Sequence, residues 1–219
     1  MQKMIIHILC LITIVAFAVP VFAQTVAADA QADKILTEEE YKSVADKVVL
    51  AHSNLLCLQA DFVQERTSAV FAEPVVQKGK MYFKSPDKLR WEYTEPQPII
   101  IIFNQGKSLL KTATGQVDAP NKMIDELGKM IISTVNGDNF IDNKNFTLEY
   151  IKNENGGIDA VLTPKSRKIK ALYGKIVVRL DAESFLADEV VMEEANGDST
   201  KIMFTNEKVN TEILDDVFN

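Results

Sequence analysis

Residues 79–96, with the sequence GKMYFKSPDKLRWEYTEP, constrain the fold more than any other part of the chain. They predict a β-hairpin, in which two strands flank a turn at Ser85-Pro86-Asp87. Large apolar side chains alternate with mostly charged ones on both strands, so each strand has one apolar face and one solvated face. The apolar positions are Met81, Phe83, Leu89, Trp91 and Tyr93. Since this face carries the only tryptophan of the chain, the sheet must bury it in a core or offer it to an apolar ligand.

The first 23 residues have the pattern of a secretory signal peptide. Lys3 is the only charged residue before an apolar run from Met4 to Val19, and Ala23 is a small residue suited to cleavage. A membrane anchor is the alternative, but the run is short for a span and Pro20 interrupts it. We therefore expect a signal peptide at 1–23, a disordered leader at 24–36 and a single soluble, exported domain at 37–219.

The composition excludes several classes of function. The formal net charge is −7 and no dense basic run occurs, so the chain is poorly suited to bind nucleic acid or an anionic membrane surface. Only Cys57 remains after signal cleavage, so no internal disulfide is expected and this thiol is predicted to be buried.

Catalytic constellations are mostly missing. After cleavage His52 is the only histidine, and it lies on the apolar stripe of the first predicted helix, on a different face from Cys57. We interpret it as a packed helix histidine with a partly solvated ring. The neighbouring carboxylates Asp188 and Glu189 point to opposite faces of a predicted strand. We therefore expect no enzyme activity, no metal site and no cofactor; an envelope hydrolase that uses His52 remains the alternative.

The periodicity predicts two helices and about ten strands. Thr37 and Glu40 fit a capping box, and the helix that they begin should end near Leu58. A second helix is predicted at 120–135. The predicted strands are 60–65, 75–84, 88–94, 99–103, 107–112, 146–152, 158–163, 171–181, 185–193 and 199–207. This order indicates an α+β fold, in which one large curled antiparallel sheet of about ten to eleven strands forms an incomplete, unclosed barrel covered on its concave side by helices.

Such a barrel leaves a partly filled apolar chamber beneath its helices. We expect the lining to combine the inward face of the sheet with the apolar stripes of both helices. The candidate lining residues are Val48, Phe62, Met81, Phe83, Leu89, Trp91, Tyr93, Met123, Leu127, Met130 and Ile131. For each of them an ordinary dry core position is the alternative.

Several short motifs, taken in order, resemble the outer membrane lipoprotein carrier family, LolA, of Gram-negative periplasms. They comprise residues 60–64 after the first helix, the hairpin at 79–93, the turn at 105–109, the strand end at 162–164, the hairpin at 196–202, and Asn210 with Phe218 near the end. The resemblance covers about residues 38 to 218.

This resemblance implies a periplasmic chaperone whose cavity shields the acyl chains of lipoproteins. Such a carrier accepts its cargo from an inner-membrane ATP-driven transporter and delivers it to an outer-membrane lipoprotein acceptor. It also implies that the second helix covers the cavity, and a shuttling carrier is most simply a monomer.

Two departures from the family pattern leave an alternative function open. Ser85 stands where family members have a basic residue, in a region that the resemblance ties to cavity closure or cargo transfer and that here includes Ser85, Pro86 and Arg90. The chain also ends at Asn219, before a segment that is frequent in the family. The alternative is a related envelope module that binds another lipid or glycolipid, or that senses mislocalised lipoproteins.

Overall fold

The computed structural model describes residues 34–117, 122–137, 145–153 and 155–219. The predicted signal peptide and nearly all of the predicted leader lie outside the described residues. Within the described ranges, no helix combines the length and the apolar character that a membrane span requires.

A single antiparallel sheet of twelve strands dominates the described residues. The strands are β1 Lys34–Ile35, β2 Cys57–Thr67, β3 Val75–Lys84, β4 Lys88–Glu95, β5 Ile99–Asn104, β6 Lys107–Thr112, β7 Gly115–Val117, β8 Phe146–Lys152, β9 Ile158–Pro164, β10 Tyr173–Leu180, β11 Ala187–Glu194 and β12 Ser199–Val209. Their order across the sheet is β1-β8-β9-β10-β11-β12-β2-β3-β4-β5-β6-β7. The predicted fold class and all ten predicted strands are confirmed; the two additional strands, β1 and β7, are too short to produce an alternating pattern.

Within the part of the chain that the structure describes, three helices accompany the sheet: α1 (Glu38–Ser53), α2 (Lys122–Val135) and the single turn α3 (Arg167–Lys170). The predicted capping box is present at the start of α1. The Thr37 hydroxyl accepts a hydrogen bond from the backbone N–H of Glu40 at 3.3 Å, and the Glu40 carboxylate accepts one from the Thr37 N–H at 3.0 Å. Pro120, the predicted start of the second helix, lies outside the described residues.

The end of α1 differs from the prediction, because a contact distant in sequence stops the helix at Ser53. The backbone N–H groups of Leu56 and Cys57 donate to the side-chain oxygen of Asn210, at 2.7 and 3.2 Å. Cys57 then pairs with Lys84 in the β2–β3 ladder. The helix therefore ends about one turn earlier than predicted, and β2 begins three residues before its predicted start.

The two faces of the sheet carry separate apolar clusters. On the inner face, Val44 and Val48 of α1 pack with Tyr150, Ala160 and Val178 from β8, β9 and β10. On the outer face, the buried residues Cys57, Ile102, Ile213 and Phe218 form a second cluster. Residues 210–219, which we call the C-terminal segment, thus cover the outer face of β5 and its neighbours, and β5 is buried on both faces, as its nearly continuous apolar sequence predicts.

Side chains from the outer face bind this segment through its carbonyl groups. The Lys84 ammonium group donates to the carbonyl of Ile213 at 3.0 Å and to the carboxylate of Asp215 at 2.7 Å. Further along, the amide of Asn104 donates to the Phe218 carbonyl at 3.2 Å. The segment, which ends in a short 3-10 helix at Asp215–Phe218, is therefore an integral layer of the fold.

Candidate functional site

An apolar cavity of about 160 Å³ lies on the inner face of the sheet, beside the ends of α1 and α2. Among the described residues, its apolar lining includes Leu55, Leu58, Met81, Trp91, Ile101, Phe103, Ile131, Val135, Phe146, Leu162, Ile176, Val178, Leu186, Ala187, Val190, Met192, Ile202 and Phe204. The polar residues described in its lining are His52, Gln64, Tyr93, Thr134 and Glu207.

Aromatic rings from adjacent strands build one wall of the cavity. The rings of Phe62 and Trp91 are stacked, with centroids 4.3 Å apart. Phe204 approaches Trp91 edge-on at 6.2 Å, and Tyr93 approaches Phe62 edge-on at 5.4 Å. The Phe62 ring lies directly on Gly79, where any Cβ atom would overlap it. Gly79 is therefore required in the middle of β3, because only a residue without a side chain leaves room for this ring.

A short chain of hydrogen bonds lies beside these rings. The hydroxyl of Tyr93 donates to the side-chain oxygen of Gln64 at 3.1 Å, and the Gln64 amide donates to that of Gln77 at 3.0 Å. Burial raises the pKa of Tyr93 above its usual value of 10.0, while hydrogen bonds with the side chains of Trp91 and Gln64 act in the opposite direction. The hydroxyl therefore stays neutral, and it remains a hydrogen-bond donor at physiological pH.

His52 joins the ends of the two helices at the cavity. Its Nδ1 atom is 2.8 Å from the carbonyl oxygen of Val135, the last residue of α2, which fixes Nδ1 as the protonated nitrogen. Gly137 follows with a φ of 83° and packs against the Cβ atom of His52. Burial lowers the pKa of His52, with the Val135 carbonyl acting in the opposite direction. The ring is 6% exposed and therefore drier than the sequence predicts.

Cys57 and His52 do not form a nucleophile pair. Cys57 belongs to the outer-face cluster beneath the C-terminal segment, whereas His52 lines the cavity on the inner face. The predicted burial of the Cys57 thiol is confirmed.

The candidate residues from the sequence divide into three groups. Met81, Trp91, Tyr93 and Ile131 line the cavity. Val48, Phe62, Phe83 and Leu89 are buried but lie outside the lining, as parts of the packed core. Val48 packs within the inner-face cluster, and Phe62 is stacked against the ring of Trp91. Phe83 and Leu89 pair with each other beside the hairpin turn. Met123, Leu127 and Met130 belong to α2, but their side chains lie outside the described residues.

Much of the lining comes from strands that the sequence interpretation did not assign to the site. This part of the lining is formed by pairs of residues two positions apart on β10, β11 and β12: Ile176 with Val178, Val190 with Met192, and Ile202 with Phe204. The period-two signal was present in these strands. Whether these strands reach the cavity depends on the curvature of the sheet, which a local pattern does not specify.

The hairpin turn is hydrogen-bonded to the residues that follow both helices, whereas Arg90 lies on the outer face of the sheet. The Ser85 N–H donates to the carbonyl of Leu56, just after α1, at 2.8 Å. The Pro86 carbonyl accepts a hydrogen bond from the side-chain amide of Asn136, just after α2, at 2.7 Å. Arg90, expected in this closure region, lies on the outer face, where it pairs with Glu92 at 2.8 Å and donates to the carbonyl of Val217 at 3.3 Å. Its contacts are therefore with the C-terminal segment.

An unclosed antiparallel barrel with helices at an apolar inner cavity has the architecture of a lipid-binding envelope protein. The family model of outer membrane lipoprotein carrier protein LolA matches residues 53–219. The chain belongs to this family, as its sequence motifs predict.

The chain is also similar to individual known proteins. The chain is 29% identical over 153 residues to an outer-membrane lipoprotein carrier protein of Methylococcus capsulatus, a match that covers 68% of this chain and 69% of the relative. Among solved structures, an uncharacterized conserved protein from Thermus thermophilus matches with a TM-score of 0.51 and 11% identity, over 82% of this chain and 92% of that one. A LolA superfamily protein from Nitrosomonas europaea matches with a TM-score of 0.44 and 12% identity, over 82% and 97%. The likeness to the Thermus protein concerns the fold alone.

Proposed function

We propose that this protein is a periplasmic chaperone that carries lipoproteins from the inner to the outer membrane with their acyl chains in the apolar cavity. The observation that most supports this proposal is the cavity, which is lined by apolar side chains from both halves of the sheet. The chain that forms it belongs to the lipoprotein carrier family. The protein acts by binding, without catalysis and without a cofactor, as a monomer whose folded domain is residues 37–219 and whose signal peptide is cleaved after Ala23.

The energetics suit a carrier that binds without an energy source of its own. An acyl chain in water costs roughly 0.8 kcal/mol for each exposed CH₂ group, so a soluble carrier must cover most of the chain. Met81 of β3 and Met192 of β11 both line the cavity. Methionine side chains are flexible and polarisable, which lets the wall adapt to irregular apolar guests without one rigid fit.

Acyl binding requires the cavity to open further. A volume of about 160 Å³ is well below the range of roughly 300–1,000 Å³ that is usual for ligand pockets. We propose that α2 is the mobile cover, because Ile131, Thr134 and Val135 place it directly at the cavity. At its end Val135 contacts His52 and Asn136 contacts Pro86, while Gly128 lies against the ring of Phe103. Outward movement of α2 would break these contacts and expose the aromatic wall.

The neutral contact between Asn136 and Pro86 is central to this mechanism. It joins the cover to the hairpin turn in which Ser85 replaces the basic residue of the family pattern. In this chain we propose that a side-chain amide, rather than a cation, holds the cavity closed. Cargo would be accepted from an inner-membrane ATP-driven transporter and released to an outer-membrane acceptor.

A binding experiment with acylated and acyl-free forms of one lipoprotein tests the proposal. The mature protein should bind only the acylated form, and Trp91→Glu should weaken this binding, because it places a charge on the cavity wall. Val76→Glu is the matched control, since Val76 is 47% exposed on a neighbouring strand and should leave binding unchanged. Equal binding of the acyl-free form would contradict the proposal, as would normal binding by a folded Trp91→Glu protein.

Ser85 also supports a second candidate function. Without the basic residue at this position, the same cavity suits a module that retains another lipid or glycolipid, or that senses mislocalised lipoproteins. Mass spectrometry of protein purified from its host separates the two. One phospholipid or glycolipid bound per chain would favour the second function, and a protein free of such lipids would count against it.

A further inference from the structure

A β-bulge in β12 directs the carboxylate of Glu207 into the lining of the cavity. The pairing of β12 with β2 is regular up to Thr205 and resumes at Lys208, with one extra residue inserted between them. Asn206 has a φ of 55°, and its side-chain amide donates to the carboxylate of Asp61 at 2.9 Å on the outer face. Without the bulge, the alternation of the strand would point Asn206 inward and Glu207 outward.

Glu207 lies where the cavity approaches solvent. Along β12, Ile202 is buried, whereas Phe204 and Glu207 are partly exposed, and all three residues line the cavity. Burial of the polar end of a lipid is unfavourable, so this end stays close to water while the acyl chain covers the apolar lining. The polar end of a bound lipid is therefore expected near the Glu207 carboxylate.

The described charges that act on Glu207 are negative. Burial raises the pKa of Glu207, and the carboxylates of Asp181 and Asp188 act in the same direction. The described residues of the cavity lining include no lysine or arginine that would compensate this charge. The ionised carboxylate is thus maintained at a cost in free energy beside a ligand cavity, which is typical of a group whose charge has a function.

We propose that Glu207 is a specificity-determining residue that keeps anionic phospholipids out of the cavity. This inference rests on the proposed function and specifies its ligand, an acyl lipid whose polar end is not negatively charged. The phosphate of an anionic phospholipid would meet a like charge at a partly desolvated position, whereas an ester or amide group would not. The carrier would then take up acylated proteins in the presence of the anionic lipids of a membrane.

A matched pair of lipids measures this discrimination. Dioctanoylglycerol is neutral, and dioctanoyl phosphatidylglycerol carries the same acyl chains together with an anionic phosphate. Displacement of one uncharged fluorescent acyl probe, at neutral pH and constant ionic strength, gives the Kd of both lipids for each variant. The measured quantity is the Kd of the anionic lipid divided by that of the neutral lipid, so a change common to both lipids cancels.

Glu207→Gln keeps the size of the side chain and removes its charge. The Kd ratio should be about fivefold smaller in this variant than in the wild-type protein, as expected when one of two like charges a few ångströms apart is removed from a partly solvated site. Glu207→Asp keeps the charge and should retain most of the wild-type ratio.

Glu193→Gln is the matched control. Glu193 lies on β11, its side chain is 53% exposed, and it pairs with Lys175 at 3.4 Å on the outer face of the sheet. This variant removes the same charge from the protein but leaves the cavity unchanged, so it should keep the wild-type ratio. Thermal unfolding of each variant verifies that it is folded.

The outcomes separate this inference from the proposed function. If the wild-type protein binds the anionic lipid as tightly as the neutral one, or if folded Glu207→Gln keeps the wild-type ratio, the role of Glu207 is refuted while acyl binding stands. An equal decrease of the ratio in Glu193→Gln also refutes it, because net charge alone would then explain the effect. If the wild-type protein binds neither lipid, both the role of Glu207 and the proposed acyl binding are refuted.

Discussion

Replacement of Phe218 by alanine should destabilise the protein strongly, although this residue lies one position from the end of the chain. Phe218 is 1% exposed and packs with Cys57, Ile102 and Ile213 on the outer face of the sheet. A core Phe→Ala replacement removes the transfer free energy of the ring and leaves a cavity, which together cost about 3–5 kcal/mol. A loss of that size is a large part of the 5–15 kcal/mol by which ordinary domains are stable.

Equilibrium unfolding in urea measures this loss. Leu214→Ala is the matched control, because Leu214 belongs to the same segment but is 64% exposed; its effect should be within about 0.5 kcal/mol. Folded Phe218→Ala protein should still bind acyl chains, since Phe218 is not among the cavity lining. A loss below about 1 kcal/mol, or one equal to that of Leu214→Ala, would refute the view that the C-terminal segment completes a second core.

Three further perturbations test the contacts of the cavity. Gly128→Ala should lower the unfolding free energy by about 1–3 kcal/mol, because a Cβ atom there overlaps the Phe103 ring; Gly174→Ala, where a Cβ meets only an ordinary contact, should not lower it. The pKa of His52 is lowered on folding, so the unfolded chain takes up the proton first, and the unfolding free energy should decline as the pH falls below about 6.5 towards the folded-state pKa. Urea unfolding at a series of pH values measures this decline in the unfolding free energy. The decline should be absent in His52→Gln, and an equal decline in that variant would contradict its attribution to His52. Asn136→Ala removes the contact between α2 and the hairpin, so amide hydrogen exchange in α2 should accelerate several-fold while exchange in β9 and β10 stays constant. Unchanged exchange in α2 would show that this contact does not hold the cover.

The strands were predictable because the signal for a strand is local. Alternation of apolar and charged residues within the hairpin specifies both its register and the direction of Met81, Trp91 and Tyr93, and the same period recurs in the other long strands. The end of α1 was not predictable in this way. It depends on Asn210, more than 150 positions away, whose side chain binds the backbone where the helix would otherwise continue.

The boundary between core and cavity was also hidden from the sequence. Phe62 and Trp91 both point inward, yet the Trp91 ring covers Phe62 and alone faces the cavity. Which of two inward residues is outermost depends on sheet curvature and ring stacking, and neither has a local pattern. One sequence feature does indicate the outer-face cluster. Ile100 and Ile102 are apolar on the face of β5 that would otherwise meet water, so another part of the chain is expected to cover them.

The central claim is that this protein transfers lipoproteins in soluble form, and release from spheroplasts of its own host tests it most directly. Mature protein is added, and newly made lipoproteins are followed in the supernatant. The account predicts that lipoproteins leave the inner membrane in a soluble one-to-one complex with this protein, and that Trp91→Glu reduces their release. If no lipoprotein is released while the protein is folded and the transporter is active, the carrier role is contradicted.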